Sequence, residues 1–168
     1  DFRYGQPFGE GWRFHVGGFW RRGDGVRDAG YTAEDGFQFK GNLTKEWDNG
    51  YVRFHLKRLD DRAIAYLPVP TRASGSNGDP DLGRYRGFDP AEDTLQSRYF
   101  RRDIGLDGAN ARRSTDIGDG MRPDTTAFGI EGQVRFAEDW TLSNRFRYAD
   151  TEGRFVGQFP AEVGEAAA

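Results

Sequence analysis

The sequence predicts an all-β fold: antiparallel up-and-down strands with long loops on one side, making an incomplete segment of a transmembrane β-barrel. Three observations predict it. Hydrophobicity alternates with a period of two in five separate runs, each with one apolar and one polar face. Short turns and long connections alternate along the chain, so that in an up-and-down sheet the turns fall at one end and the loops at the other. Tryptophans stand beside the short turns on the apolar faces, where a membrane barrel carries its interfacial aromatics.

Each strand carries its own pattern. In the first run Trp12, Phe14, Val16, Gly18 and Trp20 share a face against Arg13, His15, Gly17 and Arg21, with Phe19 the misfit. The second carries Phe37, Phe39, Gly41, Leu43 and Trp47 against Gln38, Lys40, Asn42, Thr44 and Glu46. Val52, Phe54 and Leu56 oppose Arg53, His55 and Lys57 in the third. Phe128, Ile130, Gly132, Val134 and Phe136 oppose Glu131, Gln133 and Arg135 in the fourth, and the fifth sets Trp140, Leu142, Phe146 and Tyr148 against Thr141, Ser143, Arg145 and Arg147. The strands are placed at 12–21, 36–47, 51–59, 126–136 and 140–150, with Asp1 to Gln6 as the tail of a further one.

Pro7 to Gly11, Asp48 to Gly50 and Ala137 to Asp139 read as tight turns, with Asn49 and Gly50 supplying the positive φ of a hairpin. The long connections are 22–35 and an insert over 60–125 that holds no sustained period. Within the insert, Asp89 as N-cap, Pro90 as first helical residue and Glu92 and Asp93 in the first turn predict a short helix to about Tyr99. Glu165 to Ala168 reads as an ending inside another loop.

Composition narrows the class. The 168 residues hold 24 glycines, 14 Phe, 7 Tyr and 4 Trp, a net charge of -3 and no cysteine. The aromatics outnumber Ile, Leu, Val and Met together, and neither the low net charge nor the aromatic content fits disorder. No apolar run is long enough for a transmembrane helix, whereas a barrel strand needs only about 9–11 residues. Without cysteine there is no disulfide framework, thiolate metal site or cysteine nucleophile. The Arg and Lys residues are interspersed with 27 acids and not clustered, which argues against a nucleic-acid partner.

The two faces then separate two environments. From Trp12 to Trp20 is about 26 Å along a strand, or about 20 Å along a barrel axis at a tilt of about 40°, close to the spacing of two aromatic girdles. The opposite face is too charged for a dry core and suits a water-filled lumen. A soluble sheet with one buried face would show the same local alternation; it would bury Phe14, Phe39, Phe54, Ile130 and Phe146 together. Five or six strands cannot close a membrane barrel, whose smallest bacterial forms have about eight, so the expectation is a piece of a barrel.

The stretches Trp12 to Arg22, Asp24 to Pro70 and Thr141 to Val163 resemble the early barrel of TonB-dependent outer-membrane receptors, through the passages GGFWRRGDGVRDAGY, GNLTKEWDNGY and LDDRAIAYLPVP. The resemblance implies a barrel of about 22 strands plugged by an N-terminal domain, placed in the outer membrane of a Gram-negative bacterium. It implies active import of a scarce nutrient, such as a siderophore, a vitamin or an oligosaccharide. The implied partners are outer-membrane lipid, the remaining barrel strands, the plug domain and, through that plug, TonB. Neither the plug nor a TonB-contacting box lies in these residues. The alternative from a different class is a soluble or surface-attached β-sheet ligand-binding module; a β-rich hydrolase has the least support.

At the loop end, Arg21, Arg22, Asp24, Arg27, Asp28, Asp60, Asp61 and Arg62, with Tyr31 and Tyr66, could hydrogen-bond a sugar or chelate entering from outside. As plain structure they are lumen and loop charges that pair with one another. Asn77, Asp79 and Asp81 alternate like calcium ligands, but Phe88 stands where an EF-hand needs its bidentate Glu, and a polar loop is the better reading. His15 and His55 fall on polar faces and repeat no metal-site spacing. No phosphate loop, nucleophile elbow or zinc signature occurs, so neither enzyme activity, a metal nor a cofactor is expected.

Overall fold

The computed structural model describes residues 1–159. The ending at Glu165 to Ala168 and the last residues of the receptor-like stretch lie outside them. In chain order the strands are β1 (Phe2–Pro7), β2 (Trp12–Gly23), β3 (Glu34–Trp47), β4 (Gly50–Ala63), β5 (Arg72–Ser76), β6 (Asp79–Gly83), β7 (Arg102–Leu106), β8 (Arg112–Asp116), β9 (Met121–Ala137) and β10 (Trp140–Phe155). One antiparallel sheet runs in the order β1-β2-β3-β4-β9-β10, while β5-β6 and β7-β8 are separate hairpins. The fold is all-β and up-and-down. Its sheet does not close on itself, and β1 and β10 are its edges.

Contacts divide the chain into two compact units: 1–21, 35–61 and 122–153 in the first, 22–34, 62–121 and the chain from Arg154 in the second. In the first unit, burial runs opposite to that of a water-soluble sheet. The buried hydrophobic residues among those described are Ala29, Ala33, Ile64, Ala65, Ile117 and Ala127, of which only Ala127 belongs to this unit. Thr44 and Thr125 are buried, at 0% and 6% exposure, while Phe54, Leu56, Phe128, Phe136, Trp140, Leu142, Phe146 and Tyr148 stand exposed. A soluble sheet gains its stability by removing apolar area from water; here the four phenylalanines and one isoleucine expected to meet in a dry core do not, since Phe54, Ile130 and Phe146 are all open.

The second unit has a small core of its own, where Ala29, Ala33 and Ile64 pack with Tyr31 and Tyr66. Gln96 is buried beside it and donates from Nε2 to the Ala65 carbonyl at 2.6 Å.

Several local expectations change. β2, β3, β4, β9 and β10 all run past the predicted limits toward the loop end. The period of two stops where the side chains become charged, but a backbone ladder needs no apolar side chains, and ion pairs take over there. The insert, read as lacking periodic structure, contains the two hairpins and a 3-10 turn at Ile117–Asp119. The helix from Asp89 does not form. Only its first turn does, with Asp93 N–H bonded to the Asp89 carbonyl at 2.7 Å and Ala91 N–H to the Asp89 carboxylate at 3.0 Å. Past it, Gln96 is drawn to Ala65, and tertiary contact overrides a weak propensity.

Gly50 also has a different task from the one predicted. Neither Asn49 nor Gly50 has a positive φ, whereas Gly9 and Gly11, in the turn before β2, both have φ 66°. A Cβ on Gly50 would overlap the Gln133 carbonyl oxygen and stand 3.0 Å from Val134 Cα, so the close approach of β9 is what requires glycine. Asn49 closes that end by donating from Nδ2 to the Arg135 carbonyl at 3.0 Å.

The turn between β7 and β8 rests on one carboxylate. Asp107 accepts from the Ala111 and Ala109 amides at 3.0 and 2.9 Å and from Arg113 Nε at 2.8 Å. Those backbone bonds first, then the arginine, hold its carboxyl below the usual aspartate range. A depressed pKa contributes stability above the unfolded value of about 3.9 that is lost as the pH falls through the folded value. The hairpin's amide chemical shifts are therefore expected to stay constant down to about pH 4 and move together below it. Asp107→Asn should remove that acid transition.

Candidate functional site

The apolar face of the first unit forms a belt with defined ends. On β9 it runs from Phe128 to Phe136, about 27 Å along the strand at roughly 3.4 Å per residue. On β10 it runs from Trp140 to Tyr148 and then meets Asp150 and Glu152. Aromatic pairs tie neighbouring strands across it: Tyr4 to Phe14 at 5.7 Å, Phe128 to Phe146 at 6.1 Å and Phe128 to Tyr148 at 5.4 Å between ring centroids. Such pairs each add roughly 0.5–1.5 kcal/mol beyond area burial.

At the turn end, Phe8 stacks on Trp12 at 6.2 Å and Phe136 lies 6.3 Å from Trp140, with Trp47 exposed on the same face. Lys45 interrupts the apolar face of β3, a position the alternation passed over. Its ammonium lies over the Trp12 ring at 5.4 Å and donates to the Glu10 carbonyl at 2.6 Å, so the stem crosses apolar surface while the charge reaches the turn.

At the loop end the same face turns ionic. Arg58 grips Asp124 through both guanidinium nitrogens, the Nη2 bond measuring 2.8 Å, and reaches Thr126 at 3.3 Å. Asp60 joins them, 3.4 Å from Arg58 and 3.9 Å from Arg122. The belt thus has an aromatic end with a snorkelling lysine and an ionic end.

The polar face is cross-linked. Arg53 donates from Nε to the buried Thr44 hydroxyl at 2.8 Å and from Nη1 to Glu131 at 2.8 Å. Arg13 pairs with Glu46 near the turns. Phe19, the residue that breaks the alternation, lies under the Arg21 guanidinium at 5.9 Å.

The residues predicted to meet a ligand are divided between the two units. Arg21 and Asp61, in the first unit, form a two-point pair at 2.9 and 2.8 Å, and Asp60 sits in the ionic cluster. Arg27, Asp28, Tyr31, Arg62 and Tyr66 belong to the second unit. There the Tyr66 hydroxyl accepts from the Arg27 amide at 3.1 Å and donates to the Arg27 carbonyl at 2.8 Å, beneath the Arg27 guanidinium. Asp28 accepts from the Gly30 amide at 2.6 Å, and Arg62 reaches the Thr32 carbonyl at 3.4 Å. Arg22 and Asp24 are exposed.

Tyr31 is the distinctive member. Its hydroxyl is buried with no hydrogen-bond partner, and Arg101 lies over its ring at 4.7 Å. Burial pushes the phenol above its usual pKa, with Arg101 opposing. Arg101 is held in turn by Asp116 at 3.0 and 3.1 Å. Sequence reasoning missed Arg101 because it sits seventy positions from Tyr31 with no periodic signal between them.

Tyr66→Phe removes both bonds to Arg27 and is expected to cost the second unit about 1–3 kcal/mol. Faster amide exchange across 24–33, with the first unit unchanged, is the check.

Comparisons with protein-family models, with curated proteins and with solved structures each found no match. Among the described residues no group of three or more His, Asp or Glu side chains could hold a metal ion.

Proposed function

We propose that this chain is part of the wall of a TonB-dependent outer-membrane receptor that imports a scarce nutrient, with its apolar belt against lipid and its polar face toward the lumen. The observation that carries the reading is the burial pattern of the first unit, with threonines at 0% and 6% exposure and a belt of exposed aromatics bounded by tryptophans and ion pairs. In water such a face would be an aggregation hazard. In hydrocarbon it is the stable arrangement.

The two free edges support the same reading. In a bilayer the backbone groups along β1 and β10 need partners, since each unsatisfied group costs several kcal/mol. Further strands would supply them, and a plug domain would meet the polar face and carry the coupling to TonB. The charged loop end, with Arg22, Asp24 and the Tyr31 and Tyr66 environment, would face the incoming ligand.

Membrane fractionation of cells that make the protein tests the location, and uptake tests the activity. The chain is expected in the outer-membrane fraction after a high-salt wash, and cells lacking it should lose TonB-dependent growth on one limiting nutrient. Recovery as a folded, cooperative unit in the soluble fraction would instead support a soluble β-sheet ligand-binding module.

A further inference from the structure

We propose that the middle of the polar face is an anion site, taking a small multivalent carboxylate or phosphate. The site is a trough of about 660 Å³ within the first unit, lined on its polar side by His15, Lys40, His55, Lys57, Arg145 and Arg147. These side chains come from β2, β3, β4 and β10, each from the polar set of its strand, and β9 crosses between them. Glu131 of β9 is the one carboxylate among the lining residues.

The charges do not balance within the face. Near the turns Arg13 has Glu46, and toward the loops Arg21 has Asp61. In the middle a single carboxylate is shared three ways, with Arg53 at 2.8 Å, Arg145 at 3.4 Å and His55 Nε2 at 3.8 Å. Lys40, Lys57 and Arg147 make no ion pair or side-chain hydrogen bond among the described residues. At the neighbouring edge Arg3 donates from Nε to His15 Nε2 at 2.9 Å, an imidazole in place of an acid.

Arg13 and Arg21 are each matched to an acid, whereas Lys40, Lys57 and Arg147 are left unmatched around one concavity. Like charges so gathered repel one another unless an anion joins them, and a concave site with low-dielectric walls concentrates that field. Two guanidinium forks and two ammonium groups fit an anion with several oxygens better than a single halide. The volume lies within the range of small-molecule pockets, about 300–1,000 Å³. The inference goes beyond the import reading and does not rest on it, because the same charges would face either a lumen or bulk water.

Titration calorimetry on the purified full chain tests it, with inorganic pyrophosphate and citrate as probes at a constant ionic strength of about 0.15 M. Saturable binding of at least one probe is expected. Preference for pyrophosphate assigns a phosphate ligand and preference for citrate a carboxylate, and either supports the site. Lys57→Gln combined with Arg147→Gln should weaken binding about tenfold or more, while Lys57→Arg with Arg147→Lys keeps it. Arg13→Gln, which removes a cation already matched to Glu46, should leave affinity unchanged. Absence of saturable binding by both probes would overturn the proposal. So would equal binding by the double glutamine variant, or an equal loss in Arg13→Gln, which would reveal a mere dependence on net charge.

Discussion

Ile130→Arg is expected to cost about 1–4 kcal/mol of folded stability in a bilayer, since the penalty for a cation on the proposed lipid face rises from roughly 0–1 kcal/mol at the interfaces to about 2–4 kcal/mol at the midplane. Ile130 lies inside the β9 belt, two residues from its Phe128 end, 37% exposed, with Val134 and Phe136 beyond. A long arginine near either end can snorkel to the headgroups as Lys45 reaches Glu10, which sets the lower bound of that cost. The matched substitution Gln133→Arg places the same charge on the polar face, where surface changes ordinarily stay within about 0.5 kcal/mol. The yield of protease-resistant protein in membranes measures both. A large loss for Ile130→Arg beside a small one for Gln133→Arg is the expected pair of results, and equal losses would contradict the assignment of faces.

Gly18→Ala should be nearly as damaging for a different reason. A Cβ at Gly18 would overlap the Gln38 carbonyl oxygen and lie 3.2 Å from Phe39 Cα, so that β2 and β3 could not keep their spacing. The obstacle is backbone and cannot rotate away. Overpacking of this kind typically costs about 1–3 kcal/mol, and a forced strand shift adds to it. Gly153→Ala, where no atom lies within 4 Å, is the control. Thermal unfolding in detergent should separate them, with a marked loss for Gly18→Ala and little or none for Gly153→Ala.

How far the fold was legible follows from what each signal depends on. Alternation is a property of side chains standing on two faces, and it located β2, β3, β4, β9 and β10 wherever the faces differ in polarity. It went silent at Asp60, Asp61 and Arg62, because β4 there carries charge on both faces, although the backbone ladder continues to Ala63. The hairpins of the insert were invisible for a related reason. Every residue of β5, β6 and β7 is exposed, so neither face of those strands carries a burial signal.

Glycine was read by its commonest role and misassigned once. Asn49 and Gly50 look like a positive-φ turn, and only the proximity of Gln133 and Val134, more than eighty residues away in sequence, shows that Gly50 is there for clearance. At the candidate site the residue types were legible but their partners were not. Arg21 with Asp61 and Tyr66 with Arg27 are separated by 40 and 39 positions, and pairings at that distance come from strand register and loop packing. The unmatched cations of the polar face were visible individually as Lys40, Lys57 and Arg147. Their grouping needed the order in which the strands lie side by side.

The central claim is that one face of this sheet meets lipid and the other water, and the chain suits a direct measurement because it contains no cysteine. Single cysteines placed in turn from Phe128 to Phe136, spin-labelled in the membrane-embedded protein, can be relaxed by lipid-soluble oxygen or by a water-soluble metal complex. Oxygen should dominate at Phe128, Ile130, Val134 and Phe136, and the aqueous relaxant at Gly129, Glu131, Gln133 and Arg135. Low accessibility to both at Phe128, Ile130 and Val134 would mean that these side chains are buried in protein, and would contradict the account.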